Sequence, residues 1–431
     1  MLAYRRGEPL RAGRFLAEAA ALAARLPPGR HIINVCADRY RFALGLTAAL
    51  LSGKVSLLPP SHTPEVVRHL RQFAPDVFCL TDSADCPIEL PQVHCDDRPA
   101  PAQAWRVPAL APETLVAYVF TSGSTGVPVP HPKTWGRLAG CVRAGAERLG
   151  FAPGTALLAT VPAQHMYGFE SSVLLALLGG GALVAERPFY PADISAALAA
   201  LPRPRVLVTT PIHLRAVLAD QAPLPAVEQL VSATAPLDAA LARSAEERFG
   251  APLTEIYGST ETGQIATRRT ALERPWTLWP GVSLTLESGR AWARGGHLEQ
   301  PTPLCDELEL LGDGRFHLNG RLADLVNIAG KRSSLAYLTH QLLAIEGVRD
   351  GAFFLPQRSA QAEQGVTRLA AAVVAPELTA AQVLAALRRR IDPVFLPRPL
   401  LRVGALPRNS TGKLPQEALR ALLEPAAREG A

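Results

Sequence analysis

Residues Leu115–Lys133 read LVAYVFTSGSTGVPVPHPK. The first six are apolar or aromatic, the run expected of a buried strand, and Thr121 to Pro128 follow as a string of hydroxyls and glycines. Such a loop can turn tightly and aim main-chain N–H groups and hydroxyls at phosphate oxygens, because Gly123 and Gly126 lack the side chain that blocks close approach. No GK[ST] follows, so the loop is not of the Walker type. The whole stretch from Thr121 to Lys133 reads as a loop that grips phosphates. An ordinary Ser/Gly turn is the alternative that this string alone leaves open.

The flanks place the loop in an α/β protein. Between Arg30 and Thr81, apolar runs (Ile32 to Val35, Val55 to Leu58, Val77 to Leu80) alternate with helix-like stretches (Tyr40 to Leu51, Thr63 to Phe73), a βαβαβ pattern that favours a parallel sheet covered by helices. The alternation resumes at Ala156 to Thr160, around Val173, at Ala182 to Ala185, Ala192 to Leu201, Val206 to Val208, Gln229 to Ser232 and Glu255 to Tyr257. Short strands with turns follow as far as Asn319-Gly320, and then a smaller unit with strands at Gly351 to Phe354 and Leu369 to Val374 and helices at Leu335 to Ile345 and Thr379 to Ile391. The expected fold is a large N-terminal domain (1–320) of parallel-sheet α/β subdomains with a small β-rich part, then a small mobile α+β domain (321–431).

At 431 residues the chain has length for two or three cores, and 48% hydrophobic with 19% charged residues is a globular composition. The six cysteines form no CxxC pair, and Cys86, His94 and Cys95 lack zinc-ligand spacing, so reduced thiols are expected. Residues Met1 to Pro28 mix charges with small apolar residues at helical spacing and read as a surface helix rather than a leader peptide. The most apolar stretch, Ser171 to Ala185, is too short for a membrane span and is interrupted by Gly179, Gly180 and Gly181. A cytoplasmic protein without a membrane span is expected. Of the 44 basic residues only four are lysine: Lys54, Lys133, Lys331 and Lys413. In a chain that uses arginine wherever charge alone suffices, lysine marks places that need a compact ammonium on a flexible stem. The arginines are dispersed, without basic runs or interleaved aromatics, which argues against nucleic acid as a partner.

Three further strings complete the reading: Tyr257-Gly-Ser-Thr-Glu261 after a short apolar strand, Gly320-Arg-Leu-Ala-Asp-Leu-Val-Asn-Ile-Ala-Gly-Lys-Arg332, and Leu406-Pro-Arg-Asn-Ser-Thr-Gly-Lys413. With Thr121–Pro128 they resemble, in the same order, the motifs of the adenylate-forming superfamily of acyl-CoA synthetases, peptide-synthetase adenylation domains and luciferases. The resemblance implies an ATP-dependent, AMP-forming acid–thiol ligase: a carboxylate attacks the α-phosphate of MgATP, pyrophosphate leaves, and a thiol of CoA or of a phosphopantetheinylated acyl carrier protein displaces AMP. It implies that the small domain rotates between the two steps.

The resemblance also assigns roles. Thr121, Ser122, Gly123, Ser124, Thr125 and Gly126 would cradle the β- and γ-phosphates, Thr260 would bond the α-phosphate, and Glu261 would hold Mg²⁺. Ser232, Ala233, Thr234, Ala235 and Pro236, with Gly258, would border adenine and acid, and Tyr257 would stack on the base. Asp306, the family's distance ahead of the turn glycine Gly314, would accept the ribose hydroxyls with Arg321 nearby. Lys413 would meet carboxylate and α-phosphate as negative charge gathers, and Gly330 and Arg332 would line the thiol channel. His165 would gate an acid pocket lined by Tyr167, Ser171 and Ser172, residues similar to the hydroxycinnamate-contacting stretch of CoA ligases. Glu170 is the best available anchor for an amino acid's ammonium, with a helix-surface carboxylate as its alternative, so a non-amino acid is favoured.

The pattern is broken in three places. Val129 stands where the family has a lysine, with Lys133 as its candidate substitute; Ala323 and Asp324 blur the hinge position; and the region before the phosphate loop is short. That compactness resembles ligases of aryl-polyene and xanthomonadin-type pathways and suggests a hydroxybenzoate-like acid, with a carrier protein acting in trans; Arg388, Arg389 and Arg390 could meet an acidic carrier or merely cap their helix. A medium-chain fatty acyl ligase, or a catalytically weak nucleotide-binding homologue with a regulatory role, are the alternatives.

Overall fold

The computed structural model describes residues 1–96, 107–122, 128–220, 222–321, 325–328, 331–356, 369–409 and 412–423. Two compact units emerge, one of residues 1–283 with 293–302 and the other of 284–292 with 303–431, so the expected boundary at Gly320 falls inside the second unit.

The first unit opens with two short strands, β1 (Ala3–Arg5) and β2 (Glu8–Leu10), ahead of helix α1 (Ala12–Ala23), which buries Phe15, Ala19 and Leu22. The expected surface helix is therefore confined to residues 12–23 of its segment, because the extended run before it finds a sheet edge. Next come β3 (His31–Asn34), α2 (Arg39–Leu51), β4 (Val55–Leu58), α3 (Pro64–Phe73), β5 (Phe78–Thr81) and β6 (Gln92–His94). Asp38 caps α2 by accepting the N–H of Arg41 at 3.0 Å, and Thr63 before Pro64 starts α3. Strands β4 and β5 are buried along their whole length, as strands covered on both faces by helices must be.

The decisive segment is a hairpin. Strand β7 (Leu115–Ser122) runs on through Thr121 into Ser122, and β8 (Pro128–Thr134) returns antiparallel to it, pairing Thr121 with Val129 and Ala117 with Lys133. The phosphate loop is thus shorter than the reading Thr121–Lys133: the second half of that stretch is strand, and Gly123 to Val127 lie outside the described residues. Prolines 128, 130 and 132 are tolerated because β8 is an edge strand of the sheet ordered β6-β5-β3-β4-β7-β8. Helix α4 (Trp135–Leu149) follows at once, capped by Thr134 and ended by Gly150 at φ 66°.

The second sheet of this unit carries β9 (Ala156–Ala159), β10 (Ala182–Val184), β11 (Arg205–Thr209), β12 (Gln229–Ser232), β13 (Leu253–Ser259), β14 (Gly263–Arg268) and β15 (Trp276–Leu278), in the order β15-β14-β13-β12-β11-β9-β10-β1-β2. From β13 to β1 neighbouring strands are parallel, so their carboxyl ends share one edge, where ligand sites of α/β sheets form. Arg39, 1% exposed, ties the two sheets: its guanidinium donates to Ala159 O at 2.9 Å, Val161 O at 2.8 Å and the Ser172 hydroxyl at 2.5 Å. Burial pushes it down to about 9.

The second unit holds the hairpin Asp306–Gly312 with Arg315–Arg321, the strand pair Leu325–Ile328 with Lys331–Ser334, and a three-stranded sheet (Asp350–Phe354, Ala370–Val374, Leu400–Arg402). Helices Leu335–Leu343 and Ala380–Arg388 pack on that sheet through Leu338, Leu342, Val383 and Leu387, the last helix started by a Thr379/Gln382 capping box.

Candidate active site

In the first unit two hairpins meet. Strands β13 and β14 form an antiparallel hairpin whose turn is Thr260-Glu261-Thr262, and a register shift at Tyr257/Gly258 bends it. Glycine is required at Gly258, where an added Cβ would lie 2.2 Å from Gly263 O. Ser259 and Thr262 close the turn: the Ser259 N–H donates to the Thr262 hydroxyl at 3.0 Å, and the Thr262 N–H to the Ser259 hydroxyl at 3.1 Å. The phosphate-loop hairpin meets this turn through alternate residues of β8, which share one face of the strand. His131 Nε2 lies 3.0 Å from the Thr121 hydroxyl and 3.8 Å from Glu261 Oε1, and Lys133 Nζ donates to the main-chain carbonyl of Thr260.

Lys133 consequently does not extend the phosphate loop. It is 0% exposed, while Val129 is 44% exposed. Four residues along a strand separate the two by about 13 Å. Burial lowers the ammonium to about 8, with Arg137 lowering it further and Glu170 and Glu261 opposing. The Glu261 side chain is 43% exposed. Burial raises its carboxyl, but its own N–H, the Ser259 hydroxyl, His131 and Lys133 outweigh that and hold it below the ordinary range. The turn therefore presents an ionised carboxylate beside two hydroxyl residues.

Behind the turn lies a buried polar cluster that sequence reasoning did not assemble. Glu170 is 3% exposed, on the π-helical turn Phe169–Leu174, and its Oε1 accepts from the Cys141 thiol at 3.2 Å. Burial raises this carboxyl to about 7. The alternative of a helix-surface carboxylate is excluded. Gln264 donates to the Ser171 hydroxyl at 2.7 Å, and His297 Nε2 lies 2.9 Å from Thr262 O. Ser171 and Ser172 are 2% and 0% exposed, their hydroxyls engaged by Gln264 and Arg39, so they form the inside of the wall rather than the lining expected of them. Tyr167 is half-buried and donates to Val231 O at 3.0 Å, and His165 precedes it at the start of the short helix Met166–Gly168.

At the carboxyl end of β12, Ser232 Oγ is fully buried without a hydrogen-bond partner among the described residues. Ala233, Thr234, Ala235 and Pro236 follow, and Thr234 holds a left-handed φ of 80°, a conformation rare for a β-branched residue and typical of functional loops. The Tyr257 ring is 9% exposed and packs on Trp276 at 5.6 Å between centroids; Arg268 stacks on Trp276 at 4.4 Å while pairing with Glu255 at 2.7 Å.

In the second unit Asp306 and Arg321 are directly paired across the hairpin ladder. Arg332 sits in the strand Lys331–Ser334, and Ala323, Asp324 and Gly330 lie outside the described residues. The lysine loop is stapled: Arg408 pairs with Asp350 at 2.6 and 2.9 Å and donates to Gly412 O at 2.7 Å, while Asn409 Oδ1 accepts the Lys413 N–H at 2.9 Å. Lys413 itself is exposed.

His131 was missed because the prolines around it suppress the strand pattern that would align it with Lys133. His297, Cys141 and Gln264 carry no local motif and join the cluster through tertiary packing alone.

A family model described as AMP-binding enzyme matches residues 19–314. The chain is 33% identical over 238 residues to the 4-coumarate–CoA ligase of Rhodobacter capsulatus, a match covering 55% of this chain and 59% of that protein. It is 24% identical to the 3-hydroxybenzoate–CoA/4-hydroxybenzoate–CoA ligase of Thauera aromatica, over 95% of this chain and 83% of the relative. Among solved structures, ATP-bound MatB from Rhodopseudomonas palustris superposes with a TM-score of 0.78 at 21% identity, covering 95% of this chain and 92% of that one. The anthranilate–CoA ligase AuaEII in complex with anthranoyl-AMP gives 0.79 at 17% identity, covering 99% and 94%. At these identities the likeness shows the fold.

Proposed function

This chain belongs to the AMP-binding enzyme family, and from that premise we propose that it activates an aromatic carboxylic acid with ATP, releasing pyrophosphate, and then transfers the acyl group from the adenylate to a thiol. The convergence of the β7–β8 hairpin with the Thr260–Glu261 turn carries this reading. His131, beside Thr121, and Lys133, on the strands that flank the glycine- and hydroxyl-rich string, meet a turn bearing an ionised carboxylate, which supports reading the two motifs as halves of a triphosphate site.

The donor set at the turn fits a magnesium ion. Magnesium favours one or two carboxylates together with substrate phosphates over an all-protein cage. Glu261 is an ionised, accessible carboxylate, and no cluster of three or more His, Cys, Asp or Glu residues suited to a metal occurs among the described residues. When bound, the ion would offset phosphate charge. The chain's own groups do the rest. Thr121, Ser122 and the loop glycines would orient the phosphates, the Thr260 hydroxyl would bond the α-phosphate, and Asp306 with Arg321 would take the ribose. Lys413 supplies the ammonium that stabilises charge as the carboxylate attacks. Ser232 to Pro236, Tyr257 and Gly258 border base and acid, with His165 and Tyr167 at the acid pocket. Gly330 and Arg332 would belong to the thiol step, with the hinge at Ala323 or Asp324, so that the part that rotates begins near Gly320, inside the second compact unit.

An aryl acid is favoured because several relatives are named for coumarate or hydroxybenzoate. The acceptor is CoA or the phosphopantetheine of a carrier protein, and the setting is cytoplasmic. Incubation with ATP, Mg²⁺ and hydroxybenzoates, hydroxycinnamates or medium-chain fatty acids, with CoA or a loaded carrier protein offered as acceptor, tests this by mass spectrometry of the thioester. Aryl thioesters are the expected product; fatty acyl thioesters alone would overturn the aryl assignment.

A further inference from the structure

Among the described residues, Lys133 combines complete burial with a contact to the candidate site. Lys54, 8% exposed, uses its ammonium in a comparable way, donating to Pro27 O at 2.6 Å and Gly29 O at 2.7 Å far from any site residue. In an arginine-rich chain both positions set a compact ammonium on a flexible stem against main-chain carbonyls.

Resting on the functional reading above, we propose that Lys133 is a positioning residue: from within the core it holds the Thr260–Glu261 turn against β8, and so sets the hydroxyl and the carboxylate that work on the phosphates. Three observations converge on it. The ammonium is donated to Thr260 O, which fixes the main chain between the two working side chains. Its neighbour on the same strand face, His131, reaches Glu261 itself at 3.8 Å. The turn is also walled from behind, where His297 Nε2 meets Thr262 O at 2.9 Å and a Cβ on Gly263 would come within 2.8 Å of Glu170 Oε1. A residue supported on both sides has one position available to it, and preorganisation of this kind is what a transition-state contact requires. Lys133 therefore does not take over at the phosphates the place where Val129 stands; it acts on the turn opposite.

Hydrogen–deuterium exchange of the ligand-free protein tests this directly. In Lys133→Met, amides of residues 256–266 should exchange at least about fivefold faster, with strands 205–209 and 229–232 unchanged. In carboxylate-dependent pyrophosphate exchange the same variant should lose about 100-fold in kcat while KM for ATP moves less than about threefold. Unchanged exchange at the turn, acceleration spread equally over all strands, or a loss confined to KM for ATP would overturn the proposal, the last by making Lys133 a phosphate ligand. Lys133→Gln, a smaller change, is read in the same way if Lys133→Met does not fold; failure of both to fold makes the lysine a folding element and overturns it too. A wild-type enzyme inactive with every acid would sink the functional reading, yet the deuterium measurement would still decide on Lys133.

Discussion

The ammonium of Lys133 donates to the main-chain carbonyl of Thr260, which lies 127 positions further along the chain. One bond thereby joins the strand that returns from the phosphate loop to the turn that carries Glu261, and it relates two motifs that are separate strings in the sequence. The consequences reach beyond Lys133 itself.

If Glu261 is the carboxylate facing the metal, Glu261→Gln keeps the shape and removes the charge. The Mg²⁺ concentration for half-maximal activity should rise at least about tenfold, with little change in melting temperature because the side chain is 43% exposed. A magnesium titration of the exchange reaction checks this, and an unaltered midpoint would remove Glu261 from the metal site.

Gly263 occupies a left-handed φ of 70° with Glu170 Oε1 2.8 Å and Cys141 Sγ 3.2 Å from any added Cβ. Gly263→Ala should cost about 1–3 kcal/mol from backbone conformation and crowding together. Chemical denaturation measures it; an alanine that is neutral would mean the cluster behind the turn is loosely packed.

Arg408 holds the Lys413 loop through Asp350 and Gly412 O. Arg408→Ala should slow pyrophosphate exchange about tenfold with ATP affinity retained, since misplacing a catalytic group costs rate more than binding. Calorimetric ATP titration beside the kinetics separates the two; weakened ATP binding at full rate would contradict the assignment.

Two buried histidines set an acid limit on stability. His213, 5% exposed with Nδ1 2.8 Å from the Thr210 hydroxyl, and His297, 8% exposed, are each pushed down from 6.5 to about 4, in both cases chiefly by burial. The unfolded chain therefore takes up these protons first. Their contribution is complete above about pH 6.5 and is lost as the pH falls towards 4, on the order of 3 kcal/mol for each. Glu170, raised to about 7, opposes this slope over the same range, so the comparison is between wild type and His213→Asn: unfolding curves between pH 7 and 4 should show the variant losing less stability on acidification, and an equal loss in both would contradict it.

Much of the architecture was legible because parallel strands buried on both faces write continuous apolar runs, as at Val55–Leu58 and Phe78–Thr81, with helix-like stretches alternating between them. The hairpin β7–β8 was not, since Pro128, Pro130 and Pro132 disguise an edge strand as a loop. Thr260 and Glu261 stood out through their string, whereas their supports did not. The fixation of the turn by His131 and Lys133 depends on which strand face meets which turn, and that is decided by packing between segments more than a hundred residues apart, while His297 reaches it from 35 positions away.

The central claim is that this site joins a carboxylate to the α-phosphate of ATP. Carboxylate-dependent exchange of labelled pyrophosphate into ATP, run with the wild-type chain and with Lys413→Ala over aryl and fatty acids, tests it most directly. The account predicts exchange driven by hydroxyaromatic acids and reduced by about 100-fold or more in Lys413→Ala; no exchange above background with any acid, or equal exchange in the variant, would contradict it.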